Sequence, residues 1–129
     1  MLKLSLDDYF RNVNSLLNNP LFISIEITKE KKSATVGLLS AKVVLSDLSE
    51  FHLMEYIEVE ETLRIITYRY HYQNKDKKLI FRYDNAPHFK EVKNFPHHKH
   101  IGNIVMPVKQ KSLTEVIEEI LVVYLSKSS

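Results

Sequence analysis

The sequence predicts an α+β fold: an antiparallel sheet of five to six strands, covered on one face by an N-terminal and a C-terminal helix. Three observations carry this prediction. A helical period opens the chain, and a second closes it. Between them, runs of β-branched and aromatic residues alternate with short polar turns. Consecutive strands with no helix between them have too little chain for a crossover, so they pair antiparallel as a meander.

The first helix starts at Ser5-Leu6-Asp7-Asp8, with Ser5 as N-cap and Asp8 in the capping-box position. Leu6, Phe10, Val13 and Leu17 make its apolar face, and Asn18-Asn19-Pro20 ends it. In the first strand Ile23, Ile25 and Ile27 share a face. Ala34 to Leu45 is β-rich, with Gly37 expected to form a bulge. Phe51 to Val59 mixes apolar and acidic residues, and Glu55, Glu58, Glu60 and Glu61 suggest an acidic surface. Leu63 to Tyr72 and Leu79 to Tyr83 form the clearest strand pair, joined by the polar stretch 73–78. A long irregular loop, about Asn85 to Pro96, leads to a short segment from His97 to Met106, which Pro107 ends. Ser112-Leu113-Thr114-Glu115 is a second capping box. Val116, Ile117, Ile120, Leu121 and Tyr124 then give the last helix its apolar stripe.

A chain of 129 residues, 44% hydrophobic and 26% charged, without repeats or linkers, predicts one domain over 1–129. With no cysteine, disulfides, thiolate metal sites, iron–sulfur clusters and a cysteine nucleophile are excluded. Two glycines, Gly37 and Gly102, cannot build a Gly-rich phosphate loop or a dinucleotide fingerprint, so no such cofactor is expected. No apolar run reaches the roughly 20 residues that span a bilayer. The first eight residues lack a signal-peptide core. A cytoplasmic location without membrane attachment is the expectation.

The formal net charge of +2 conceals an asymmetry. Residues 1–63 carry a net −4, residues 64–111 a net +8, and residues 112–129 a net −2. The basic stretch also holds five of the six histidines and seven of the thirteen aromatics. Clustered cations attract phosphates, and interleaved rings stack unpaired bases.

An even-numbered β-hairpin loop would set Arg69 opposite Arg82 and Tyr68 opposite Tyr83. One face of that ribbon then carries tyrosines and Phe81 toward the helices, and the other carries Arg69, His71, Arg82 and Asp84. Two facing arginines repel unless Asp84 or an anion lies between them.

In Pro96-His97-His98-Lys99-His100-Ile101-Gly102, His98 and His100 share a face if the backbone is extended. Imidazoles titrate near neutrality, so this pair beside Arg and Asp suits proton transfer at a phosphodiester. The same pair, with His71, His88 or Asp84 as third ligand, also suits a transition metal. Histidines hydrogen-bonded in a polar turn are the third reading.

Together, Arg82-Tyr83-Asp84-Asn85-Ala86-Pro87-His88 and the Pro96–Gly102 block, with Tyr68-Arg69-Tyr70-His71-Tyr72 and Ser112-Leu113-Thr114-Glu115-Val116, resemble the TumE-like family of small prokaryotic proteins. The resemblance spans about residues 20–125, and its specific part lies within 68–102. It implies the toxin half of a toxin–antitoxin pair, with a helix-turn-helix antitoxin as neighbour and RNA as the expected target. Arg82, Asp84, Asn85, His88, His98, Lys99 and His100 stand at its motif positions.

The functional expectation is a metal-independent endoribonuclease. In it His98 and His100 share the acid and base roles, Asp84 orients one imidazole, and His71 and His88 are reserves. Arg69, Arg82 and Lys99 hold phosphate. The alternatives are a nonenzymatic module that binds RNA or protein, and a His-ligated metal-dependent hydrolase. An exposed sheet edge would also permit self-association.

Overall fold

The computed structural model describes residues 4–86 and 96–127. The elements run α1 (Leu6–Leu16), β1 (Phe22–Lys31), β2 (Val36–Leu45), β3 (Glu50–Val59), β4 (Leu63–Gln73), β5 (Leu79–Asp84), β6 (His98–Ile101), β7 (Ile104–Pro107) and α2 (Leu113–Ser126). All seven strands form one sheet in chain order, each pair of neighbours antiparallel. The predicted α+β meander is present, with seven strands rather than five to six. The stretch expected to be one segment is a hairpin. Gly102 and Asn103 turn the chain between Ile101 and Ile104, with Gly102 at φ +56°. A glycine at the first central position, with positive φ, is the mark of a type II′ turn.

Both helices begin with closed capping boxes, Ser5 with Asp8 and Ser112 with Glu115. Leu6, Tyr9, Phe10 and Val13 of α1 and Leu113, Val116, Ile117 and Ile120 of α2 are buried against one face of the sheet. That face supplies alternate residues: Leu39, Ala41, Val43 and Leu45 from β2, Phe51, Leu53 and Ile57 from β3, the three tyrosines of β4, and Phe81 and Tyr83 from β5. Among the described residues no helix lies on the other face, and the polar residues of the central strands stand on it.

Gly37 forms no bulge. It pairs regularly with Lys31 and with Ile57, and the irregularities fall at Phe22/Ser24, Tyr56/Ile57 and Tyr72/Gln73. Its bareness serves the contact with α1: a Cβ would stand 2.9 Å from Leu6 Cδ2 and 3.0 Å from Phe10 Cζ. Leu6 and Phe10 are themselves buried, so neither has room to yield. Gly37→Val should therefore destabilise by about 1–3 kcal/mol through overpacking. Urea unfolding reads this as a lower midpoint, and an unchanged midpoint would mean that α1 does not depend on this seat.

The β4–β5 loop is odd, not even. The Asn74 amide donates to the Lys78 carbonyl at 2.9 Å, and Lys77, at φ +67°, completes the turn. This is the three-residue loop that ends in a left-handed residue. That turn shifts the pairing by one residue, and the irregularity between Tyr72 and Gln73 shifts it by one more, so Arg69 faces Asp84, His71 faces Arg82 and Tyr70 faces Tyr83. The expected pairing of Arg69 with Arg82 is off by two residues. A two-residue slip preserves faces, whereas a one-residue slip would have exchanged them.

Candidate functional site

The site grows out of the pairing of β5 with β6. Asp84 lies beside His98, and Arg82 lies beside His100. Strand alternation turns all four side chains to the face away from the helices. The Asp84 carboxyl bridges the two rings. His98 Nδ1 is 2.9 Å from Oδ1, and His100 Nε2 is 3.2 Å from Oδ2. The rings meet edge to face at 5.8 Å. Asp84 is nearly buried, the His98 side chain has 0% exposure, and the His100 side chain retains 18%. His100 is thus the member of the trio nearest to solvent.

Partial burial lowers the pKa of His100 below the usual imidazole value; the Asp84 carboxyl opposes this and Arg82 adds to it. The ring is therefore neutral at pH 7 and able to accept a proton. Arg82 is held from its other side, since its Nε donates to His71 Nδ1 at 3.2 Å. The second nitrogen of His71 lies 2.8 Å from Gln73 Oε1 and donates to it. Burial, with Arg82 and His52 nearby, also lowers the His71 pKa. Arg69 enters as the cross-strand neighbour of Asp84.

The structure thus brings Arg69, His71, Arg82, Asp84, His98 and His100 to one face. It does not bring Lys99 there. Lys99 lies between the two histidines on an extended strand and points to the helix side. Its ammonium donates to Glu119 of α2 at 2.7 Å and sits over Phe81 and Tyr83, 5.4 Å and 5.0 Å from the ring centroids. Tyr83 donates to the same Glu119 at 2.6 Å. Burial works against the Lys99 charge, but the hydrogen bonds to Glu119 and Tyr83 raise its pKa overall. Its expected place among the phosphate ligands is corrected by this alternation: it pins α2 to β5 and β6. His97 is also on the helix side, stacked on Tyr68 with its Nδ1 2.8 Å from the phenol oxygen. His88 lies outside the described residues.

Asn85 ends the β4–β5 ladder with its side chain: Oδ1 accepts from the Tyr68 amide at 3.0 Å, and Nδ2 donates to the Ile66 carbonyl at 2.9 Å. Sequence reasoning missed two carboxyl groups. Glu50 of β3 accepts from Lys77 and His52, and those contacts bring its pKa down to about 2. Glu55 is wholly buried on the helix face, where the phenols of Tyr9 and Tyr70 donate to it. The expected acidic surface is thereby divided: Glu55 faces the helices, and Glu58 faces the other way and pairs with Arg64 at 3.0 Å. The signal for Glu55 was its place among the inward odd positions of β3, between Leu53 and Ile57.

Asp84, His98 and His100 also place three ligand atoms within 4.8 Å of one another, a set able to hold a metal ion. Fold and cluster define a class by form: a helix-backed antiparallel meander with a histidine–carboxyl cluster on its uncovered face. A family model described as toxin TumE matches residues 12–125, and the chain belongs to that family. It is accordingly a toxin component of a toxin–antitoxin system, and such a toxin has an antitoxin as its partner. No curated protein and no solved structure matches the chain. Among the described residues no helix is long and apolar enough to cross a membrane.

Proposed function

We propose that this toxin is a metal-independent endoribonuclease whose reacting group is His100. The observation that carries the reading is the Asp84 carboxyl shared by two imidazoles, one buried and one reaching the surface beside Arg82. In the reaction, His100 takes the proton from a ribose 2′-hydroxyl. The 2′-oxygen attacks the adjacent phosphorus, forming the new O–P bond as the bond to the 5′-oxygen breaks. The products are a 2′,3′-cyclic phosphate and a 5′-hydroxyl, which gains its proton from water, while the imidazolium returns its own to solvent. Arg82 neutralises the phosphoryl oxygens, with Arg69 beside it. Asp84 fixes the ring of His100, and buried His98 fixes Asp84. The two imidazoles thus have unequal roles. His71 orients Arg82.

The metal reading has one observation behind it, the three convergent ligand atoms. Their spacing favours direct hydrogen bonds: 2.9 Å between His98 and Asp84 is a hydrogen-bond length. Tetrahedral ligands at roughly 2.0–2.1 Å from zinc stand farther apart than that. The deciding experiment is purified protein with single-stranded RNA, with and without chelator. Cleavage to cyclic-phosphate ends that survives chelation is expected. Activity lost to chelator and restored by zinc would overturn the metal-independent reading.

The pH profile follows from the lowered His100 pKa. A base is active when deprotonated, so the rate should climb with pH with its midpoint on the acid side of the usual imidazole value of about 6.5. A midpoint well above that value would assign the base to another group.

A further inference from the structure

The strand register carries a pattern wider than the site. Reading across the sheet, Lys42 of β2 pairs with His52 of β3, His52 with His71 of β4, His71 with Arg82 of β5, and Arg82 with His100 of β6. All five side chains stand on the uncovered face, so they make one continuous row perpendicular to the strands. The row is bounded: beyond Lys42 the next partner is Glu26 on β1, and beyond His100 it is Val105 on β7. The parallel row beside it places Ser40, Met54 and Arg69 next to Asp84 and His98.

The surface along the row is concave from Lys42 to Arg82. A depression of about 270 Å³ is lined by His52, Arg69, His71, Gln73 and Arg82. A second, of about 350 Å³, continues from it past His52 and Arg69 to Lys42 and Ser40, with Glu26 at its far rim. The rings of His52 and His71 meet edge to face at 6.1 Å. Glu50 borders the row: its carboxyl is shared between Lys77, outside the row, and His52 within it.

We infer that this row is the bed of a single RNA strand, which crosses the sheet from β6 to β2 with its scissile phosphate at Arg82 and His100. The inference rests on the ribonuclease reading and extends it by a direction, a footprint and two new contacts, Lys42 and His52. Four strand spacings of about 4.8 Å give a bed about 19 Å long. Lys42 meets a phosphate at its far end. The exposed ring of His52 offers a stacking surface for an unpaired base, as imidazoles do in sequence-tolerant recognition. This mixture of two cations, Lys42 and Arg82, with three imidazole faces favours RNA over an acidic protein segment, which would call for cations at every step. A duplex does not fit the pattern, because its bases offer no open faces for the ring to stack on.

The test uses the full chain and fluorescein-labelled 2′-O-methyl oligonucleotides of mixed sequence, which lack the attacking hydroxyl. Affinity should rise with length and level off once the strand spans the bed, at roughly four nucleotides, the low end for small single-strand binding folds. Lys42→Ala removes one phosphate contact, so the slope of log affinity against log salt should flatten by roughly 0.7. His52→Ala should weaken binding roughly fivefold or more with the salt slope kept, since a stacking contact releases no counterion. Lys32→Ala, the same loss of charge in the β1–β2 turn, should change neither. If the parent cleaves RNA but Lys42→Ala and His52→Ala bind like Lys32→Ala, the bed is wrong and the ribonuclease reading stands. If the parent neither binds nor cleaves single-stranded RNA, both fall together. Oligoglutamate of equal charge that competes as well as the oligonucleotide would overturn the RNA bed in favour of an acidic partner.

Discussion

Replacement of His100 by alanine should lower the rate of RNA cleavage by about 10²–10⁴-fold, the usual contribution of a positioned acid or base. The loss belongs to the chemistry and not to the fold, because His100 lies on a short strand near the sheet's edge and its side chain keeps part of its surface in water. Its contacts are to Asp84 and to neighbouring groups of the cluster. Asp84→Asn should give a loss of similar order by a different route. An amide cannot serve both rings as the carboxyl does, so the orientation of His100 is lost while the volume is kept. The two changes act on one unit, so the double variant should be little slower than either single one. Single-turnover cleavage of a short RNA, with circular dichroism as the check on folding, measures all three. Parental cleavage by His100→Ala would remove His100 as the reacting group. A double variant far slower than both single ones would mean that Asp84 acts apart from His100.

The parts of this site visible in the sequence were those that alternation alone determines. Arg69, His71, Arg82 and Asp84 reach one face by parity, and parity survived a register expectation that was off by two residues. The sign of the error had a local cause. Lys77 in the left-handed region gives a three-residue turn and one residue of the slip, the irregularity at Tyr72/Gln73 adds the other, and a lysine announces a left-handed conformation far less clearly than glycine or asparagine does. Gly102-Asn103 was a readable hairpin signal, and overlooking it cost the seventh strand. Lys99 was misplaced despite the same parity rule, because its charge invited grouping with the arginines. The cross-strand row from Lys42 to His100 was out of reach, since it depends on four registers at once and the sequence constrains each only weakly. The near-perfect Ser5 and Ser112 capping boxes, by contrast, are local patterns and were legible in full.

Glu55 supports the second large prediction, this one in stability. Truncation to alanine should cost roughly 2–6 kcal/mol, because two buried phenols lose their acceptor and each orphaned hydroxyl costs roughly 1–3 kcal/mol. The cavity of about 400 Å³ between the two helices, which Glu55, Tyr9 and Tyr70 help to line, sets where in that range the value falls. Water entering from it can satisfy a hydroxyl and lower the cost. Glu55→Gln separates the hydrogen bonds from the charge, since it keeps the volume and one acceptor. Burial raises the Glu55 pKa, and the donated hydrogen bonds of Tyr70 and Tyr9 only partly offset this. The folded state therefore binds the proton more tightly than the unfolded chain. The stability this contributes is fully present below the ordinary carboxyl value of about 4.3, and it is lost as pH rises through the raised value. The glutamine variant has no such dependence. Urea unfolding at pH 5 and pH 8 should accordingly show the parent losing stability relative to Glu55→Gln as pH rises. If that difference stays constant across the interval, Glu55 is ionised in the folded state as it is in the unfolded chain, and the two tyrosines hold a buried carboxylate.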